Sequence, residues 1–274
     1  MSNIEILNKH NFKFNKSFGQ NFIFDKNFLR SIVDDSDDNS LVLEIGPGAG
    51  TLTSILCEKA KKVTCFEIDK NLKPILEENL QDYNNYEIVW GDILNFSIDE
   101  IESHFSEEYI MVANLPYYIT TPIIFKFLES ATKLKSMTIM VQYEVAERLV
   151  AKPGTKEYGA ITPAIDYRAN AKIIKKVNRN MFTPAPNVDS AIVRIEFQKD
   201  KYLIDNTKVL DDTIKAVFAM RRKTIENNLK SYFKLSGDII KEILNISGII
   251  PTIRGEKLST EELVKLSNVI NKYI

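Results

Sequence analysis

The chain has 274 residues, 44% of them hydrophobic and 27% charged, which is enough apolar content to bury a core and too much for a disordered chain. Its net charge of −1 conceals an asymmetry: residues 31–108 carry 5 basic against 18 acidic side chains, whereas segments 1–30, 109–180 and 181–274 carry +3, +6 and +3. No run of about 18 uninterrupted apolar residues occurs and the first residues have no long apolar core, so neither a membrane span nor a secretory leader is expected. The two cysteines, Cys57 and Cys65, show no ligand spacing and read as small buried apolar side chains. A cytoplasmic, reducing setting is expected, with no metal site.

Taken in chain order, Lys9, Lys13 and Lys16 alternate with Phe12, Phe14 and Phe18 in a basic, aromatic arm. There follow five short apolar runs that read as strands: LVLEI (41–45), KVTCFEI (62–68), YEIVW (86–90), YIMVAN (109–114) and MTIMVQ (137–142). Near-continuous apolar runs of this length suit strands covered on both faces. Between them TLTSILCEKA, NLKPILEENL, SIDEIESHF and TTPIIFKFLES repeat apolar residues at helical spacing. Alternation of this kind predicts an α/β fold with a mostly parallel, Rossmann-like sheet, its edge completed by strands near 171–177 and 190–197. From about residue 200 the pattern turns mostly helical, including DDTIKAVFAMRRKTIENNLKSYF and a last helix opened by the capping box Ser259 and Glu262. Two domains are expected, 1–199 and 200–274.

The chemistry-bearing residues fall at the ends of the expected strands. EIGPGAG (44–50) follows the first strand, and its glycines allow tight turning and close approach of a ligand to backbone amides at a helix start. Glu67, 21 residues after Gly46, closes the second strand, where a carboxylate can accept from both ribose hydroxyls of an adenosine. Asp92 closes the third and can accept from an exocyclic ring amine. Singly, each acid reads better as a helix N-cap or solvated turn residue; the ordered set points to the ligand. NLPYYI (114–119) then ends the fourth strand on an amide, a proline and two tyrosines. Acid-free basic stretches follow at KIIKKVNR (172–179) and RRK (221–223), a pattern that suits nucleic acid or an ordinary solvated face.

EIGPGAG, the acid of FEID, GD and NLPY, in that order, resemble the motifs of class I methyltransferases that use S-adenosylmethionine. KSFGQNFIFD (16–25), NLPYYITTP (114–122), VQYEVAERLVAKPGTKEYG (141–159), FTPAPNVDSAIVRI (182–195) and RRKTIENNL (221–229) are similar to the KsgA-type ribosomal RNA adenine N6,N6-dimethyltransferases over nearly the whole chain. The resemblance implies that S-adenosylmethionine, leaving as S-adenosylhomocysteine, is held by Asn21, Ile23, Gly46, Gly48, Glu67, Ile68, Asp92, Ile93 and Asn114. It implies methylation of two adjacent adenines near the 3′ end of 16S rRNA in the small (30S) subunit, a role in subunit biogenesis, and a monomer without membrane association. Lys13, Lys16, Arg221, Arg222 and Lys223 become the expected RNA contacts, with the helical domain supporting them.

Adenine N6 is a poor nucleophile because its lone pair is delocalised into the ring. The Asn114 side-chain carbonyl and the Leu115 main-chain carbonyl can accept its two N–H hydrogens, favour a more tetrahedral nitrogen and hold it in line with the methyl carbon. Pro116 fixes the turn and brings no competing N–H. Tyr117 offers a ring for the base to stack on, and Phe182 a second one. The proton becomes acidic after transfer, so no histidine is required. Other readings of the same motifs are a large-subunit adenine methyltransferase conferring macrolide-type resistance and a binding module acting as an assembly or transcription factor.

Overall fold

The computed structural model describes residues 3–15, 18–33, 39–198 and 201–274. In chain order the elements are α1 (Asn3–Lys9), β1 (Phe22–Ile23), α2 (Lys26–Val33), β2 (Leu41–Ile45), α3 (Thr51–Lys59), β3 (Lys62–Glu67), α4 (Lys73–Asn79), β4 (Tyr86–Trp90), α5 (Ile98–Glu102), β5 (Tyr109–Asn114), α6 (Thr120–Ser130) and β6 (Leu134–Gln142). They continue as α7 (Tyr143–Leu149), α8 (Ile161–Asp166), β7 (Ala169–Val177), β8 (Phe182–Thr183), β9 (Ser190–Phe197), α9 (Thr207–Phe218), α10 (Ile225–Phe233), α11 (Gly237–Ser247) and α12 (Thr260–Ile270). Two compact units result, one of the residues up to Ala146 with Lys172–Phe197, the other of Glu147–Ala171 with Gln198–Ile274.

The first unit is a seven-stranded sheet in the order β4-β3-β2-β5-β6-β9-β7. β4, β3, β2, β5 and β6 run parallel, and β9 returns antiparallel to β6 from Gln142↔Ser190 to Ser136↔Glu196. The central strands are mostly apolar because helices cover both faces: every residue of β2 is buried, Glu44 included, whereas β4, at the edge, is half-buried throughout. Leu29, Val42, Ile55, Val63, Val112 and Ile192 share one core cluster. In a neighbouring cluster Ile6 and Leu7 of α1 meet Leu72, Ile75, Leu76 and Leu80 around α4, and Tyr86 and Ile88 of β4 pack against both. Each such side chain contributes roughly 1.5–3 kcal/mol of transfer free energy. Strand order reverses between β2 and β5, so the connections leaving their carboxyl ends diverge and open a crevice at that edge.

The second unit packs α9 to α12 around Leu210, Ile214, Leu229, Ile240, Leu244 and Leu266. Asn206, Thr224, Ser236 and Ser259 cap its four helices, and Ser259 and Glu262 form the expected capping box. The helical stretch expected from Asp211 to Phe233 is divided between two helices: α9 stops at Phe218, Thr224 caps α10, and Asn228 Nδ2 donates to the carbonyls of Val217 (3.0 Å) and Met220 (3.2 Å). The Arg221–Lys223 cluster therefore lies on an exposed turn and not on a helix face. Residues 147–171, expected with the sheet, join this unit instead. Tyr167 enters its core, the Tyr158 hydroxyl donates to the Leu258 carbonyl (2.8 Å), and Arg168 Nη2 pairs with Asp211 at 2.8 Å.

Candidate active site

The ends of β3, β4 and β5 and the glycine loop that leaves β2 build the site. β2 runs into Gly46, Gly48 and Gly50, which adopt φ of 71°, 57° and 79°, a left-handed region that side chains disfavour. A Cβ on Gly48 would stand 2.8 Å from the Phe22 ring, so the loop closes against the arm only as glycine. The Gly48 amide donates to Glu67 Oε2 (3.2 Å) and the Asp69 amide to Oε1 (2.8 Å), fixing the carboxylate at the end of β3. Asp92 caps the turn after β4, its Oδ1 accepting from the Leu94 amide at 3.0 Å.

Asn114 ends β5. Its Nδ2 donates to the Asn21 main-chain carbonyl (3.0 Å), which leaves Oδ1 as the acceptor of the amide. Asn21 is itself held by donating from Nδ2 to the Gly19 carbonyl (3.0 Å). Beyond Asn114 the chain turns sharply: the Leu115 amide donates to the Met140 carbonyl, and the Pro116 carbonyl accepts from Thr120 Oγ1 (3.1 Å) and the Ile119 amide (3.2 Å). That turn launches α6 and leaves the Tyr117 hydroxyl 2.6 Å from Ser190 Oγ on β9.

The result is a solvent-open pocket lined by residues of the arm, the glycine loop and the ends of β3, β4 and β5. Acceptors stand on its rim and apolar groups such as Phe66, Leu72 and Ile93 line the rest.

The chain matches the model of the family described as ribosomal RNA adenine dimethylase over residues 11–272. The chain belongs to the ribosomal RNA adenine dimethylase family. Among curated relatives, proteins named ribosomal RNA small subunit methyltransferase A are 43% identical in Clostridium botulinum (strain ATCC 19397 / Type A), covering 98% of each chain, and 45% identical in Clostridioides difficile (strain 630), covering 97% of this chain and 94% of that one. Among solved structures, a dimethyladenosine transferase from Plasmodium falciparum superposes with a TM-score of 0.76 at 26% identity, covering 92% of this chain and 98% of the other. The 23S rRNA methyltransferase ErmE gives 0.69 at 26%, covering 92% and 100%.

In this dimethylase the pocket gathers Asn21, Gly46, Gly48, Glu67, Asp92 and Asn114, together with Ile68, Ile93, Leu115, Pro116 and Tyr117. Ile23 is buried and lines a second, adjoining pocket with Glu44 and Met140. Phe182 does not line the pocket: pairing of β8 with β1 sets it opposite Ile23, and at 4% exposure it belongs to the core, so the expected second stacking ring is not presented in this conformation. Lys13, Arg221, Arg222 and Lys223 are exposed, and Lys16 lies outside the described residues.

Two residues that motif reading left without a role belong to the site. Tyr118 lines the pocket, its ring 3.4 Å from where a Gly19 Cβ would stand, and burial with the nearby Asp92 and Glu67 charges raises its phenol. Gln20 ties the arm down: its Nε2 donates to Asp69 Oδ2 (2.7 Å) and its Oε1 accepts from the Asn15 amide (2.7 Å). The signal for Gln20 was its place in GQNF; nothing local marked Tyr118.

Burial also tunes the acids. Glu44 is pushed up to about 8 by loss of water, with the neighbouring Glu67 charge adding to the effect. Glu67 is pushed up to about 7 by the same desolvation, held back by the amides of Asp69 and Gly48. Glu67 thus stands as a buried carboxyl fixed by two backbone amides, an acceptor shielded from water.

Proposed function

We propose that this dimethylase transfers methyl groups from S-adenosylmethionine to N6 of two adjacent adenines near the 3′ end of 16S rRNA, acting on the small ribosomal subunit during its biogenesis. The observation that carries the reading is the convergence of Glu67, Asp92 and Asn114, at the carboxyl ends of β3, β4 and β5, on one pocket beside the positive-φ glycine loop that leaves β2 between them. The pocket fits the donor: Glu67 suits the ribose hydroxyls, Asp92 the adenine amine, and the loop admits a close approach that a Cβ at Gly48 would block. When bound, the donor supplies a sulfonium-activated methyl group.

The remaining steps belong to the protein. Asn114, its amide anchored on the Asn21 carbonyl, presents Oδ1 to the incoming N–H, and the Leu115 carbonyl takes the second hydrogen. Tyr117, tethered to Ser190, stacks on the base. Proximity and alignment provide the rate, since effective molarities of oriented groups reach about 10⁵–10⁸ M. The sheet unit holds the donor, and the helical unit, with Arg221, Arg222 and Lys223 on its turn, contacts RNA.

The small subunit is favoured as substrate because the full-length relatives bearing that name are 43–45% identical, against 26% for the 23S rRNA methyltransferase. Purified protein given labelled S-adenosylmethionine and undermethylated small and large subunits is expected to label only the former, with both methyls on each of two adjacent adenines by mass spectrometry. Label confined to large-subunit RNA overturns the proposal.

A further inference from the structure

We infer that the edge strand β7 and the turn after it form a track for the sugar-phosphate backbone of the substrate RNA, with Lys172, Lys175, Lys176 and Arg179 as its phosphate contacts. This rests on the proposed RNA substrate and adds the path by which the strand leaves the site.

β7 ends the sheet, beyond β9, so one of its edges faces outward without a neighbouring strand. From Ala169 to Arg179 the chain has no acidic residue, and Lys172, Lys175, Lys176 and Arg179 are all exposed. Alternation puts Lys172 and Lys176 on one face and Lys175 on the other, so both sides of the edge are positive. The row from Lys172 to Lys176 spans about 13 Å at about 3.3 Å per residue, a linear array suited to an extended polyanion. Aromatic rings steady the side chains: Lys175 Nζ stands 5.1 Å from the Phe28 ring centroid and Lys176 Nζ 4.5 Å from that of Tyr143.

The track leads to the pocket. Gln142↔Ser190 register puts the start of β9 at the same sheet edge as Asn114, which is paired with Met140. Ser190 holds the Tyr117 hydroxyl, and the preceding residue, Asp189, takes Lys176 Nζ at 3.2 Å and the Arg179 amide at 3.1 Å. Asp189 neutralises only part of this end: the Arg179 guanidinium donates instead to the Asn187 carbonyl (3.2 Å), and a carbonyl leaves its charge in place. A strand whose adenine stacks on Tyr117 thus meets cations at once on leaving the site. Lysines on an outer strand also deter edge-to-edge pairing, but that role asks neither for the absence of acids nor for continuation to Arg179.

The test uses the full-length protein with Lys172 and Lys175 changed together to Gln, which spares the Asp189 contacts. Binding to a single-stranded oligoribonucleotide containing two adjacent adenines is measured from 50 to 300 mM KCl, beside the donor affinity. Each lost phosphate contact on a single strand lowers the slope of log Kobs against log salt by about 0.7, so the double variant is expected to bind with a slope shallower by about 1.4 and unchanged donor affinity. A slope parallel to wild type overturns the track, and does so decisively if the variant aggregates, since edge protection is then the whole role of these lysines. Parallel RNA slopes with lost binding to anionic phospholipid vesicles overturn it in favour of a membrane surface. Lys172→Arg/Lys175→Arg restores the wild-type slope if charge is the cause. Failure of the small-subunit assignment registers separately, as a wild-type protein that labels other RNA while the slope change persists.

Discussion

Glu67 is where the electrostatics of the site make their sharpest statement, and Glu67→Gln is the perturbation that reads it. The carboxyl rises from an ordinary 4.5 to about 7 in the free protein, driven by burial. That interval corresponds to about 3 kcal/mol of penalty on the ionised form. If the ribose hydroxyls bind the ionised carboxylate, the apparent dissociation constant is the limiting one multiplied by about 11 at pH 6, about 2 at pH 7 and about 1.1 at pH 8, a tenfold tightening overall. The stability sign is the reverse. With the folded pKa above the unfolded one, the folded state binds more protons, so the unliganded protein loses stability as pH climbs from about 4.5 through about 7, and Glu44 extends the loss toward 8. Calorimetric titration of S-adenosylmethionine from pH 6 to 8 measures the affinity, and the ratio of wild type to Glu67→Gln cancels any ionisation of the ligand itself. That ratio is expected to be about tenfold larger at pH 8 than at pH 6. A ratio that does not change with pH refutes the assignment of Glu67 as the titrating receptor.

The other expectations concern geometry. Asn114→Ala should keep most donor affinity and lose turnover by about 10²-fold or more, read in single-turnover labelling, because the N6 acceptor disappears while the loop and acids remain. Tyr117→Phe, which keeps the ring and drops the Ser190 bond, should cost far less RNA affinity than Tyr117→Ala, whose lost stacking is worth roughly 1–3 kcal/mol. Gly48→Ala forces a Cβ to 2.8 Å from Phe22 at φ 57° and should lower the melting temperature and the donor affinity, with a cost of about 1–3 kcal/mol; Gly159→Ala, with nothing within 4 Å of its Cβ, is the silent control. Asp211→Ala strands Arg168 and the Tyr167 hydroxyl, which donates to Asp211 Oδ1 at 2.6 Å, and should destabilise the protein by about 2 kcal/mol in denaturant melts while sparing donor affinity.

What could be read from the residues alone follows from how local each determinant is. β2, β3, β4 and β5 were legible because strands covered on both faces are apolar run by run, and their polar last residues, Glu67 and Asn114, stood out against that background. The α9–α10 break was not legible: AMRRKT contains no glycine or proline, and what stops the helix is Asn228 reaching back from the next one, together with Gly255, whose Cβ would stand 2.6 Å from the Val217 carbonyl oxygen. β1 and β8 pair only two residues each, a contact created by closure of the arm and invisible to periodicity; the same pairing withdraws Phe182 into the core. Tyr118 looks like any half-exposed tyrosine until Gly19 and the two acids surround it.

The charge asymmetry of the chain acquires a meaning once strand order is known. Residues 31–108 hold the acidic excess and contain β2, β3 and β4, which are consecutive in the sheet. On the other side of β2 come β5, β6, β9 and β7, and the sheet unit's share of residues 109–180 carries seven Lys and Arg against two Glu. A parallel sheet that winds outward in both directions from its first strand turns segregation along the sequence into segregation in space. Asn114, on β5, stands at the seam, with the carboxylates that suit a ribose and an amine on one side and the cations that suit phosphates on the other. Under the proposed function, a donor carrying a positive sulfonium and an RNA carrying negative phosphates would be drawn to opposite sides of one amide, and only the methyl carbon and the target nitrogen would need to meet there.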